Sequence, residues 1–367
     1  MSRTDEIAQK RDRVLGYMRE KGLEGVLLGS TASFAWYTAG GQNHVSTGSE
    51  KGVARVLVTP GRDHLLANNI EMPRLLAEEV PEGRFEPVEH PWFDETSATA
   101  DLAKLIRPER VASDDGFAGT DVLPADFAEL RYSLFPDEIV RYKWLGRHLS
   151  EVLEGACAQV RAGMTELRVA GQICHLCYGF GIIPVVVLVA ADERIARFRH
   201  PIPTEKEVER CAMLVLCGKK GGLICSATRL VHLGPVPEEL ERKHRAVCEV
   251  DATFILGTEV GADVGQLFQK ATEAYARHGY PDEWKQHHQG GATGYATRDF
   301  KVTRSTRRRV LENQAFAWNP SIAGTKSEGT IVATERGPEI MTAAVAGPTI
   351  PIEIEGQVIH RPAIWER

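Results

Sequence analysis

The sequence predicts a two-domain chain, an α/β unit over residues 1–134 followed by an α+β unit over residues 135–367. Three observations carry this. Strand-like and helix-like segments alternate through the first third; Phe135-Pro136-Asp137 interrupts the chain ahead of a long amphipathic stretch; and the last quarter breaks into short alternating strands between turns. A chain of 367 residues exceeds what one core usually serves.

The first unit begins with an amphipathic helix in which Ile7, Val14, Leu15 and Met18 share a face before a break at Lys21-Gly22. GVLLGS then reads as a short buried strand, and ARVLVTP and DHLLANN as a hairpin around Pro60-Gly61. Pro73 to Val80 is a helix with its proline in the first turn, and ERVASDDGF is a strand with a polar turn after it. In the second unit Asp137 is placed to cap a helix carrying Ile139, Tyr142, Leu145, Leu149 and Leu153, and Thr165 to cap another that runs to about Tyr178. GIIPVVVLVA has the β-branched run of a buried strand, and two more strands flank Gly218 to Gly222. Pro237 to Val250 and Val264 to His278 are amphipathic helices; DFKVTRS, AFAWNPSI, GTIVATERG and EIMT are short strands.

Composition narrows the function classes. A net charge of −6 gives no global basic field for nucleic acid or an anionic membrane, and the basic run Lys301, Arg304, Arg307, Arg308, Arg309 is spaced as on a solvated strand or hairpin. No apolar run approaches the roughly 20 residues of a membrane span, and the N-terminus lacks a signal-peptide core, so the expectation is a cytoplasmic protein with reduced cysteines. Its seven cysteines are an odd number, and Cys174 and Cys177 form a CxxC with no second Cys/His pair at zinc-finger spacing; they read as core thiols.

The chemistry concentrates in Trp284 to Asp299, WKQHHQGGATGYATRD. Paired histidines, three glycines, a tyrosine and an Arg-Asp pair within one segment are poor helix material, while glycine admits close backbone approach and the other side chains supply donors, acceptors and charge. The segment reads as the lining of a site.

Several strings, in order, resemble the creatinase/aminopeptidase ("pita-bread") fold family, which includes Xaa-Pro aminopeptidases, prolidases, methionine aminopeptidases and creatinase. They are GLEGVLLGSTASFAWYTAG, the PDEI helix start, RAGMTE, FRHPIPT, the hairpin ending in ATR, the GG..G segment, AFAWNPSI and TKSEGTIVATERG. The resemblance covers almost the whole chain and implies an α/β creatinase-like N-terminal domain, an α+β pita-bread C-terminal domain and a homodimer.

It also implies where metal would sit. Metal-dependent members hold two divalent ions with two Asp, one His and two Glu. Here the first Asp position falls at Leu216 or Cys217, the second at Ser226, and the Glu of the Glu-Pro strand at Asn319, while the last Glu is kept as Glu328. The His position falls at Gly291 or His288, according to register. One His and one carboxylate cannot neutralise two divalent cations, so the expectation is no metal cofactor. A single zinc on Cys217, His288 and Glu328 stays open as an alternative.

Creatinase, which hydrolyses a C–N bond in this fold without metal, supplies the matching expectation. His200 stands at the position of its acid/base histidine. Glu328 is expected to grip an ammonium or guanidinium, or else to pair with a local cation; Arg298 to pair a ligand carboxylate, or else Asp299 or Glu328. Tyr295, Asn319 and His288 complete the expected pocket, and His232 and His287 read as surface or supporting residues. The expected activity is metal-independent hydrolysis of a C–N or amide bond in a small charged amino-acid-like compound. The alternatives are a non-catalytic protein that binds a peptide or metabolite, and a Xaa-Pro peptidase.

Overall fold

Ser2 opens the first helix. Its hydroxyl accepts from the Asp5 amide at 3.2 Å while the Asp5 carboxylate accepts from the Ser2 amide at 3.0 Å, and Gly22, at φ +67°, closes it. The structure, a computed structural model, describes residues 2–94 and 96–367. Two units divide between Arg131 and Tyr132, three residues before the boundary read from the sequence.

In the first unit, α1 (Arg3–Lys21), β1 (Gly25–Ser30), α2 (Thr31–Tyr37), β2 (Lys51–Val58), β3 (Asp63–Asn68), α3 (Met72–Arg74), β4 (Glu86–His90), α4 (Ser97–Leu105), β5 (Val111–Ser113) and β6 (Asp121–Val122) follow one another. A π-helical turn, Leu75–Glu79, continues α3. The six strands form a mixed sheet in the order β4-β3-β2-β1-β5-β6, antiparallel between β1 and β2 and between β2 and β3 and parallel elsewhere. Leu27, Leu57, Leu66 and Val111 pack on one face of it against Leu102 of α4.

The second unit starts with α5 (Pro136–Cys157) and α6 (Glu166–Gly179). Asp137 does not cap α5. Pro136 occupies the first helical position, and the Glu138 carboxylate reaches back to accept from the Phe135 amide at 2.8 Å. A sheet in the order β19-β9-β8-β7 packs on these helices, built from β7 (Ile183–Ala191), β8 (Cys211–Lys220), β9 (Leu223–His232) and β19 (Trp365–Glu366), with α7 (Glu193–Arg197) between β7 and β8. Next come α8 (Glu238–Gly257), which ends at Gly257 and not at Val250 as its periodicity indicates, and α9 (Val264–Arg277).

A second sheet, β11-β10-β12-β15-β16, follows from β10 (Gly290–Thr293), β11 (Phe300–Lys301), β12 (Ala315–Trp318), β15 (Gly329–Thr334) and β16 (Gly337–Ile340). Phe316, Trp318 and Ile331 bury one face of it against Phe254 of α8 and Phe268 of α9. Two hairpins, β13 (Ser321–Ile322) with β14 (Thr325–Lys326) and β17 (Thr349–Ile354) with β18 (Gln357–Pro362), complete the unit; the second lies in a stretch to which the sequence assigned no strand. The two larger sheets meet where β9 faces β15: the Ser226 amide donates to Thr330 Oγ1 at 2.8 Å, and that hydroxyl donates to the Ser226 carbonyl at 3.0 Å. This seam positions the polar residues described next.

Candidate functional site

Strand alternation selects which side chains gather at the seam. Cys217 of β8 lies directly opposite Ser226 of β9, and the Ser226 hydroxyl donates to Cys217 Sγ at 3.2 Å. Leu216 pairs with Ala227 and points to the other face, so Cys217 is the residue that matches the first Asp position. Two residues beyond Ser226, on the same face, Thr228 donates to Glu328 Oε2 at 2.6 Å.

Glu328 is buried and surrounded by cations. Lys326 Nζ lies 2.8 Å from Oε2, and Arg298 reaches within 3.8 Å of Oε1. Burial alone would raise its pKa; Lys326, Arg298 and the hydrogen bonds from Lys326 and Thr228 outweigh that and hold it below the ordinary value. Glu328 is therefore an ionised, neutralised acceptor. The local-cation alternative describes these contacts, and Lys326 supplies the nearest cation.

Across the second sheet, Gly291 of β10 is opposite Ala317, on the face shared two residues later by Asn319. A side chain cannot be added at Gly291, because a Cβ would sit 2.0 Å from the Phe300 carbonyl oxygen. Asn319 is 3% exposed, its backbone amide donating to the Gln289 carbonyl at 3.1 Å. Tyr295 is turned elsewhere, its hydroxyl donating to Glu138 at 2.5 Å. Among the described residues, Asn319 Oδ1, Arg298 Nε and the Nδ1 atoms of His287 and His288 are buried without a hydrogen-bond partner.

The histidines form a group of their own. His200, in the turn after α7, and His287, ahead of β10, approach with Nε2 atoms 3.0 Å apart, and the His288 ring stacks on His287 with centroids 4.5 Å apart. His287 is only 8% exposed and so is not a surface residue. Partial burial lowers the His200 pKa, Lys326 adding to the effect and Glu328 opposing it. Burial, then Arg298 and Lys301, bring His288 down to about 4, and burial takes His287 far below its usual range. All three imidazoles are neutral at pH 7.

The sequence profile of metallopeptidase family M24 matches residues 142–352. The chain belongs to this family. An uncharacterized peptidase of Staphylococcus haemolyticus is 22% identical over 311 residues, covering 78% of this chain and 87% of that protein. Among solved structures, a Xaa-Pro dipeptidase from Bacillus anthracis superposes with a TM-score of 0.76 at 17% identity, over 98% of this chain and all of that one. The prolidase from Pyrococcus horikoshii gives 0.77 at 16% identity, over 92% of this chain and 99% of that one. The N-terminal domain of a FACT complex subunit from chickpea gives 0.71 at 11% identity, over 94% and 97%. These likenesses establish the pita-bread fold of an M24 protein.

The two-metal centre expected of M24 peptidases does not fit these residues. At its five positions stand a thiol whose pKa is raised by burial, a hydroxyl, either His288 or a glycine that cannot accept a side chain, an amide, and a carboxylate already facing Lys326. One negative charge, so compensated, cannot hold two divalent ions. Nor do Cys217, His288 and Glu328 converge: among the described residues, the donors close enough to share one ion are those of His200, His287 and His288.

Lys326 and Thr228 were missed as site residues. Both had a signal, because in TKSEG and CSATR each lies two residues from a matched position, Thr228 on the same face of β9 as Ser226. His287 had none, since an HH pair does not say which ring turns inward.

Proposed function

We propose that this M24 protein hydrolyses a C–N or amide bond of a small, charged, amino-acid-like compound without a metal, His200 moving the proton. The observation that carries the reading is the 3.0 Å approach of the His200 and His287 Nε2 atoms beside a carboxylate already committed to Lys326. With Glu328 neutralised, a neutral imidazole is the base the pocket can offer. Its partner across the hydrogen bond orients the ring and shares charge as a proton arrives.

The unpartnered groups describe the ligand. Arg298 favours a carboxylate, and Asn319 Oδ1 accepts a hydrogen bond from an N–H of the compound. In the reaction, water adds to the carbon while His200 takes its proton. The C–N bond breaks, and the proton passes to the leaving nitrogen.

The test is a panel of N-acyl amino acids, creatine-like compounds and Xaa-Pro dipeptides, assayed with chelator-treated protein and again with added manganese or cobalt. Turnover is expected in chelator and is expected to fall about 10²–10⁴-fold in His200→Ala. The acid limb of kcat/KM should lie below the ordinary histidine value of 6.5, because the neutral ring is the base and its pKa is lowered. Turnover that appears only with added metal would falsify the reading.

The committed state of Glu328 also favours a second reading, a protein that binds such a compound without reacting. Compounds that raise the melting temperature and stay intact would mark it.

A further inference from the structure

We propose that His200, His287 and His288 form a binding site for one borderline divalent transition-metal ion of the zinc, cobalt, nickel or copper type. This site shares at most His288 with the five positions of the M24 two-metal centre. One ring nitrogen from each histidine lies within 4.8 Å of the others. The His200 and His287 Nε2 atoms, 3.0 Å apart, are near the separation of about 3.3 Å that two nitrogens have when each sits about 2.0–2.1 Å from a tetrahedral ion. His288 completes the triad by a small movement of its ring.

Chemistry and access agree with the geometry. Three imidazoles suit borderline ions and not magnesium, calcium or manganese, which take oxygen ligands. His287 is buried with its Nδ1 unpartnered, while His200 is exposed, so the group has a fixed inner wall and an open outer side. A ring flip lets His288 present either nitrogen. Arg298, Lys301 and Lys326 act electrostatically on these rings; they disfavour a bare cation and favour an anion, such as a carboxylate, as fourth ligand on the open side. An ion held there takes the Nε2 lone pair of His200 and so silences the proton transfer proposed above. That consequence rests on the proposed function; the binding itself does not.

The test uses the untagged chain of residues 1–367, stripped with chelator and titrated with cobalt(II) while visible absorption is followed, then challenged with zinc(II). One cobalt per chain is expected, displaced by one zinc. His288→Ala and, separately, His200→Ala should weaken binding about 100-fold or more, since loss of a ligand costs at least as much as loss of its supporting partner. Melting temperatures without metal should match wild type, because His200 is exposed and His288 only half-buried. Absence of saturable absorption overturns the site, as do titrations of wild type and both variants that superimpose. No activity is read, so the hydrolase reading and the metal site fail independently.

Discussion

Lys326 is the residue on which the pocket's charge depends. Its ammonium and the Glu328 carboxylate are 4% and 3% exposed, and Arg298 and Thr228 complete the carboxylate's surroundings. Two such charges taken out of water stabilise the fold only as a pair. Lys326→Met should cost about 3 kcal/mol in urea unfolding, and Lys326→Met combined with Glu328→Gln should recover most of it. A single variant as stable as wild type would show that Glu328 does not need the lysine. Arg298 is different in kind. Its Nε is unpartnered and its nearest carboxylate contact is 3.8 Å, so Arg298→Met should leave stability within about 1 kcal/mol of wild type and weaken ligand binding instead.

At the scale of the strand, β10 shows how backbone excludes chemistry. Gly290 and Gly291 pass so close to their neighbours that a Cβ would meet the Ala317 oxygen at 2.1 Å and the Phe300 oxygen at 2.0 Å. Both have positive φ, +110° at Gly290. Gly291→Ala should therefore destabilise by roughly 3–4 kcal/mol, whereas Ala292→Gly, one residue on, should lose about 1 kcal/mol. Thermal unfolding of the pair separates backbone exclusion from ordinary strand propensity. The neighbouring strands were legible from the alternation in AFAWNPSI and GTIVATERG, but β10, read as the lining of a site, and its crowding were not. Sequence reports the glycine, and only the packed neighbours report why nothing larger fits.

For the whole molecule, what the sequence held was the pattern that the hydrophobic effect reads: one alternation of strands and helices, a proline-marked boundary, then helices and strands of the second unit. Side-chain pairings escaped because they join residues about a hundred positions apart, as Thr228 to Glu328. The β17–β18 hairpin escaped although Ile350, Ile352 and Ile354 alternate in TIPIEI and pack toward Cys248 and Ala252 of α8, because Pro351 within the run argues against a strand. Stability against acid is a global property of this kind. His244, in α8, donates from Nε2 to the Pro362 carbonyl at 2.9 Å and accepts from Thr325 at 2.7 Å, and burial brings its pKa down from 6.5 to about 4. A lowered histidine pKa means that the unfolded chain binds the proton first. The stabilisation is complete above pH 6.5 and is lost as pH falls toward 4, in all roughly 3 kcal/mol at about 1.4 kcal/mol per unit. Urea unfolding at pH 7, 5.5 and 4.5 should show this decline, and His244→Gln should make it shallower, the lowered His287 and His288 supplying the part that remains.

The Lys326 ammonium has one more consequence. A bound cation is in exchange with its surroundings, so its occupancy follows supply, competition and chelation. The charge beside Glu328 is instead translated with the chain and stays at an effectively fixed local concentration. It can be neither starved nor displaced by a rival ion, and the neutralisation of Glu328 persists wherever the chain is folded.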